Sequence, residues 1–202
     1  MIRSPSLCGV ILAAGESSRM GRDKALLAWR GTTFLGGAIA ALAPCTELVI
    51  VVAGNNAATL EPVAYASGAS LVINPAPERG QLSSLKVGLQ EILNRGRDAA
   101  IVTLVDRPPV SAETIQRLRT AFDQALLCGK WAVVPEHQGR HGHPIVVARE
   151  MIEAFLRAPE SGSAREVMHA HQQRIEYLAV DDPLVVANVN THEDYEQLAA
   201  PR

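Results

Sequence analysis

The chain has 202 residues, 48% of them apolar and 20% charged, the make-up of a globular protein long enough to bury one large core. Its net charge of −2 argues against a general polyanion binder, and 4% aromatic residues argue against a stacking platform for single-stranded nucleic acid, so any phosphate chemistry must come from a local site. No apolar run approaches the ~18 residues of a membrane-spanning helix.

Leu7–Ala13 reads as the first strand, a short apolar run. Arg3 ahead of Leu7–Ala14 loosely imitates a signal peptide, but the run is short, Pro5 precedes it, and it works better as a central strand. Further strands are predicted at Leu48–Ala53, Ser70–Ile73, Ala99–Val105, Trp131–Pro135, Pro144–Val147 and Arg174–Ala179. Val49–Ala53 and Ala100–Val105 are nearly continuous apolar runs, as in strands buried on both faces. Helices are predicted near 33–43, 57–66, 83–94, 112–127, 149–157, 163–171 and 192–199. Their starts are marked by Ser83 or Ser84, by Ser111 with Glu113, and by a capping box from Thr191 to Asp194. Alternating strands and helices predict an α/β fold, a doubly wound, mostly parallel sheet flanked by helices. From about residue 131 the short strands around Gly142, Pro144 and Pro183 suggest a small antiparallel extension that forms one wall of the site. Cys8, Cys45 and Cys128 form no CxxC pair, which reads as reduced thiols in a cytoplasmic protein, with Cys8 in the core.

Ligands of such sheets bind beyond the carboxyl ends of the strands. The segment after each strong strand is therefore informative. The first strand opens into AAGESSRMGRDK, residues 13–24, a loop whose amides can donate to phosphate while Arg19 and Lys24 supply charge. It is neither a Walker A loop nor GxGxxG. The second strand leads into Gly54-Asn55-Asn56, the third into Asn74-Pro75 and then Arg79–Ser84, and the fourth into Asp106-Arg107-Pro108-Pro109. A carboxylate at a strand end facing a phosphate loop suits Mg²⁺, which keeps waters and takes substrate phosphates as ligands; a turn or capping aspartate is the alternative for Asp106. His141-Gly142-His143 invites a zinc reading, but no third ligand has suitable spacing, and a turn with one polar contact fits better. Gly162–Arg165 reads as a helix start, either simply capped or holding an anion.

Several of these segments together resemble a known family. LAAGESSRMGRDK is similar to the nucleotidyltransferase signature LAAGxSxRMGxxK, and NPAPERGQLSSLKVGL and LVDRPPVSAETIQRL resemble its later segments. GHPIVV, GSAREV and NVNTHEDYEQL extend the likeness over nearly the whole chain. The family is the MobA-like nucleotidyltransferases of molybdenum cofactor synthesis, with the cytidylyltransferase branch nearest. The resemblance implies one nucleotidyltransferase domain over residues 1–202, with a nucleotide-binding half to about 110 and an acceptor-binding half beyond. It implies a reaction in which a phosphate on the acceptor attacks the α-phosphorus of a nucleoside triphosphate and pyrophosphate leaves. CTP would be the nucleotide, a molybdopterin-type compound the acceptor, a molybdoenzyme a candidate recipient, and Mg²⁺ the cofactor. No nucleic-acid or membrane partner is implied.

By the same resemblance Leu12, Ala13, Ala14 and Gly15 cradle the nucleotide, Arg19 and Lys24 neutralise the phosphates, Gln81 and Ser84 lie near base and ribose, and Asp106 holds Mg²⁺. For Gln81 and Ser84, helix capping is the competing reading. Where many relatives carry an aspartate as second metal ligand, this chain has Asn188-Val189-Asn190, and Asn190 is the favoured ligand over Asn188. An amide oxygen can ligate Mg²⁺ without the negative charge. Two other readings stay open: a nucleotidyltransferase acting on sugar phosphates, and a molybdenum cofactor carrier without turnover.

Overall fold

A computed structural model describes residues 5–15 and 23–199. The chain runs β1 (Leu7–Leu12), β2 (Ala28–Trp29), β3 (Thr32–Thr33), α1 (Phe34–Leu42), β4 (Val49–Ala53), α2 (Ala57–Ala66), β5 (Ser70–Ile73), α3 (Gln81–Asn94) and β6 (Ala99–Leu104). It continues with α4 (Ala112–Leu127), β7 (Ala132–His137), β8 (Arg140–His141), β9 (Ile145–Ala148), α5 (Arg149–Arg157), α6 (Ala164–Ala170), β10 (Ile175–Ala179) and α7 (His192–Ala199).

The main sheet has the order β10-β7-β9-β6-β1-β4-β5, with β8 paired to β7. β1 pairs in parallel with both β4 and β6, β4 with β5, and β10 with β7. The expected antiparallel pairing occurs, but within this sheet and not as a wall of the cleft described below: β9 runs antiparallel between β6 and β7, and neither β7, β8 nor β9 contributes a lining residue.

The continuous apolar runs split by strand alternation into two cores, one on each face. Leu7, Ile11, Val49, Val51, Ala99 and Ile101 face a core completed by α1, α2 and α4. Cys8, Val10, Ile50, Val52, Ala100 and Val102 face the other, completed by α3 and α5. Cys8 is fully buried as expected, and burial pushes its thiol up to about 11. Helix α4 shows how the sequence sets this up. Ser111 caps it by accepting from the Thr114 N–H, and Ile115, Leu118, Phe122 and Ala125 form the apolar stripe laid on the sheet.

Helix α3 lies unusually flush. A Cβ on Gly88 would stand 2.8 Å from methyls of both Val10 and Val52, so only glycine permits this approach. The helix is thereby brought down at the carboxyl ends of β1 and β4. It begins at Gln81, with Gly80 at the N-cap and no side-chain cap, rather than at the serines predicted to cap it. Both serines are engaged elsewhere. Buried Asn74 donates to the Ser83 hydroxyl (2.8 Å) and the Ser84 hydroxyl (3.0 Å), while its own oxygen accepts from the Ala76 N–H. The caps at Ser111 and Thr191 form as predicted, and the helix start left open at Gly162–Arg165 is capped by Ser163; Ser163 and Thr191 pair reciprocally with Glu166 and Asp194.

The two-strand hairpin β2–β3 was not predicted. Arg30 and Gly31 turn it, both at positive φ, as a tight hairpin turn requires. Trp29, Phe34, Leu27 and Val189 form a small third core, and the Tyr195 hydroxyl donates to the Ala28 carbonyl at 2.9 Å. Helix α7 is thus pinned beside the chain that leaves Lys24.

Candidate active site

A cleft opens beyond the carboxyl ends of β1 and β6. It is lined by Leu12, Ala14, Gly15, Lys24, Gly80, Gln81, Ser84 and Asp106, together with Pro77, Leu104 and Val105. Seven of the predicted site residues therefore meet there, from segments spread over more than ninety positions. Ala13 does not line it. Ala13 is buried, with its N–H bonded to the Val52 carbonyl, and it continues the strand. Arg19 lies outside the described residues. Asn188 and Asn190 are not among the lining residues, but they flank the buried Val189, whose N–H donates to the Asp106 carbonyl at 2.9 Å.

Strand pairing explains the convergence. Leu12 is in register with Leu104, and the Val105 N–H donates to the Leu12 carbonyl, so Asp106 comes directly beside the exit of β1. One carboxylate oxygen of Asp106 is shielded from solvent and accepts no hydrogen bond among the described residues. A buried anionic oxygen without a donor is costly, and a cation would offset it. The donor set fits a hard divalent ion that takes one protein carboxylate and completes its shell with water and phosphate. Among the described residues no cluster of three or more His, Cys, Asp or Glu is placed to hold a metal on its own.

Lys24 is half-buried, not solvent-facing, and its charge is one of the influences that hold the Asp194 carboxyl below its usual range. The larger influences on Asp194 are the Thr191 and Asn190 N–H groups it accepts from. Gly80 and Gln81 bring the N-terminal end of α3 to the cleft. With no side chain capping that end, first-turn N–H groups and the positive end of the helix dipole remain available to an anion. The serine-based start predicted for α3 hid this feature.

The segment 182–190 is tethered along its length like a strap, and it ends against Asp106. Asp182 anchors it on α4, accepting from the Ser111 N–H (3.0 Å), the Thr114 hydroxyl (2.8 Å) and the Leu184 N–H (3.0 Å). Burial alone would raise the Asp182 carboxyl, but these hydrogen bonds outweigh it and lower it. The His143 N–H donates to the Val185 carbonyl, and a Cβ on Gly142 would collide with that same carbonyl. Arg107 donates to the Ala187 carbonyl at 3.3 Å, and Val189 reaches Asp106. The predicted His-Gly-His turn is therefore split in role. His141 pairs with Glu136 at 3.2 Å and stacks on Tyr177, while burial, assisted by the Arg107 charge, pushes His143 down to about 3 and keeps it neutral.

Two side chains that organise the cleft carried no predicted role. Asn74 holds the start of α3, and its signal is the Asn-Pro at a strand end. Asn56 bridges the exits of β1 and β4, and its signal is the Gly-Asn-Asn just past a buried strand. No helix among the described residues is long and apolar enough to cross a membrane.

Comparison with known proteins agrees with this geometry. A 25% identity over 189 residues, covering 92% of both chains, relates the protein to the molybdenum cofactor cytidylyltransferase of Escherichia coli K12. The molybdenum cofactor guanylyltransferase of Ralstonia pickettii is 27% identical over 212 residues, covering all of both chains. The crystal structure of Rv0371C from Mycobacterium tuberculosis in complex with manganese superposes with a TM-score of 0.77 at 25% identity, covering 96% of this chain and 97% of that one. Residues 9–175 match the model of the MobA-like NTP transferase domain, so the chain belongs to that family and is a nucleotidyltransferase related to the molybdenum cofactor cytidylyl- and guanylyltransferases.

Proposed function

We propose that the protein transfers CMP from CTP to the phosphate of a molybdopterin-type acceptor carrying molybdenum, releasing pyrophosphate. The observation that carries the reading is the cleft itself, where Ala14, Gly15, Lys24, the start of α3 and Asp106 converge. Residues up to about 110 would hold the nucleotide and those beyond it the acceptor.

An acceptor phosphate oxygen forms a bond to the α-phosphorus, and the bond from that phosphorus to the β-phosphate bridging oxygen breaks. Such transfer asks little covalent chemistry of a protein, which contributes position and charge. Lys24, with Arg19, would neutralise the transferring and leaving phosphates. The Ala14 and Gly15 backbone and the N-terminal end of α3 would fix the nucleotide, with Gln81 and Ser84 toward base and ribose. Asp106 would hold Mg²⁺, with Asn190 as a second oxygen donor. The ion would supply charge neutralisation at the phosphates. A manganese complex of a related structure supports a divalent ion in this fold.

Asn190→Asp is expected to keep activity and lower the Mg²⁺ concentration needed, because a charged ligand replaces an amide oxygen. A titration of pyrophosphate release against Mg²⁺ checks it, and an unchanged midpoint removes Asn190 from the metal site.

The guanylyltransferase relative at 27% identity favours a second reading, transfer of GMP. Ala14 bears on the choice. It is buried and lines the cleft, and its methyl narrows the space that glycine would leave. A pyrimidine needs less room than a purine, and a methyl-sized difference is worth about 10- to 200-fold. CTP is expected to exceed GTP by about tenfold or more in kcat/KM, with contacts near Gln81 supplying further discrimination. Ala14→Gly is expected to raise GTP use without matching wild-type CTP activity. Pyrophosphate release from all four nucleotides, with molybdopterin and sugar phosphates as acceptors, tests the assignment. Preference for GTP removes the cytidylyl reading and leaves nucleotidyl transfer standing, while binding of the pterin without pyrophosphate release supports a carrier.

A further inference from the structure

Asn56 stands at the N-cap of α2, where an asparagine side chain ordinarily accepts from the first turn of its own helix. It makes no such bond. Its amide is spent outside the helix instead. The oxygen accepts from the Gly54 N–H at 3.0 Å, and the nitrogen donates to the Ala13 carbonyl at 2.9 Å and to the Asp23 carboxylate at 2.6 Å. One side chain thus joins the exits of β1 and β4 and holds chain on both sides of residues 16–22.

Asp23 is committed in turn. Its second oxygen accepts from the Ala25 N–H at 3.0 Å and caps the 3-10 turn Lys24–Leu26, the turn that begins with the cleft lysine. Both Asp23 oxygens are therefore engaged by donors other than the neighbouring ammonium. An aspartate freed from this arrangement would be a local rival to phosphate for the Lys24 charge. The short bond to a carboxylate is of the charge-assisted kind, stronger and more directional than a neutral pair.

We propose that Asn56 is a positioning residue for nucleotide binding, a latch whose bond to Asp23 sets the Lys24 turn in the cleft and keeps the Asp23 carboxylate from competing with phosphate. The proposal rests on the nucleotidyl-transfer reading for its consequence, but the latch can be observed independently. Lys24 turns on Asp23, Asp23 on Asn56, and Asn56 on the two central strand exits, so Lys24 is tied to the sheet rather than to its own loop alone.

The test uses the full chain with Asn56→Leu and Asn56→Asp. Hydrogen-exchange protection is read at Gly54 and Ala25, and calorimetry measures binding of CTP, and separately GTP, with Mg²⁺. Asn56→Leu removes all three bonds at similar volume. It is expected to lose protection at both amides and to weaken nucleotide binding by about tenfold or more, the scale of a displaced charged group. Asn56→Asp sets two carboxylates against each other, so one must take up a proton before the contact can re-form. Relative to wild type at each pH, protection and binding should be poor at about pH 8 and recover toward about pH 5.5, as the shared proton returns. Relief of a misplaced carboxylate beside the Ala13 carbonyl would also show as recovery on acidification, so the paired change Asn56→Asp with Asp23→Asn, which reverses donor and acceptor, is added; restored protection at Ala25 at about pH 8 supports the latch and its absence overturns it, even if Asn56→Leu fails to fold. Binding and protection in Asn56→Asp that parallel wild type across that range overturn the latch. If wild type binds neither nucleotide, the functional reading falls, while the exchange data still show whether the Asn56–Asp23 bond holds the Lys24 turn.

Discussion

Asp106→Ala is expected to abolish metal-dependent pyrophosphate release, a fall of about 10³-fold or more, while the thermal midpoint stays close to that of wild type. The two halves of this result have one cause. The carboxylate has a shielded oxygen that no described donor reaches. Such an oxygen is a cost to the folded chain in the absence of a cation, and that cost is set against the support the Asp106 charge gives the half-buried Arg107, so its removal changes stability little. The backbone at this position is held independently by the Val189 N–H, which the substitution leaves in place. Metal-assisted charge neutralisation contributes several kcal/mol to a transition state, and each 1.36 kcal/mol is tenfold in rate. Pyrophosphate release against Mg²⁺, set beside a thermal melt, checks both halves. Retained turnover would remove Asp106 from the metal site, and a large drop in the melting midpoint would make it a structural aspartate.

Lys24→Ala is expected to lower turnover by about 10²–10³, the scale of losing one oriented electrostatic donor. Arg19→Ala should do the same. For Lys24 the structure adds a distinction. The side chain is half-buried, and its charge helps to hold Asp194, at the start of α7, in its anionic form. Asp194 lies at the surface, partly covered, so that contact is largely screened by solvent and adds little to stability. Turnover should therefore fall far more than the melting midpoint does. Full activity in Lys24→Ala would remove the first loop from the mechanism.

The parts of this fold that were legible share one property: they are regular over enough residues to show a period. β1, β4 and β6 read as buried strands because both their faces meet helices, and the caps at Ser111, Ser163 and Thr191 are local chemistry. The hairpin at 28–33 was missed because two residues per strand carry no alternation, and its turn is Arg-Gly rather than the usual Asn-Gly. The start of α3 was misplaced because Ser83 and Ser84 accept from Asn74 rather than from N–H groups of the helix. Of the site, the residues at strand ends were legible, since topology gathers such ends on one rim. Asn56, Asn74 and the tethering of 182–190 were not, because a tertiary hydrogen bond leaves no spacing in the chain.

The position of β9 has a consequence for how the chain comes off the ribosome. β6 and β7 are synthesised in succession, yet they are not neighbours, and the strand that separates them is made after both. Until Ile145–Ala148 has emerged, the apolar edge Ala99–Val102 has no partner and can template pairing with other chains. A truncation ending at residue 143 would show this as self-association, relieved when β9 and α5 are restored. Val189 comes later still, so Asp106 acquires its backbone partner only after β10 has been made. A nascent chain would thus carry every residue that lines the cleft well before the backbone at Asp106 is held.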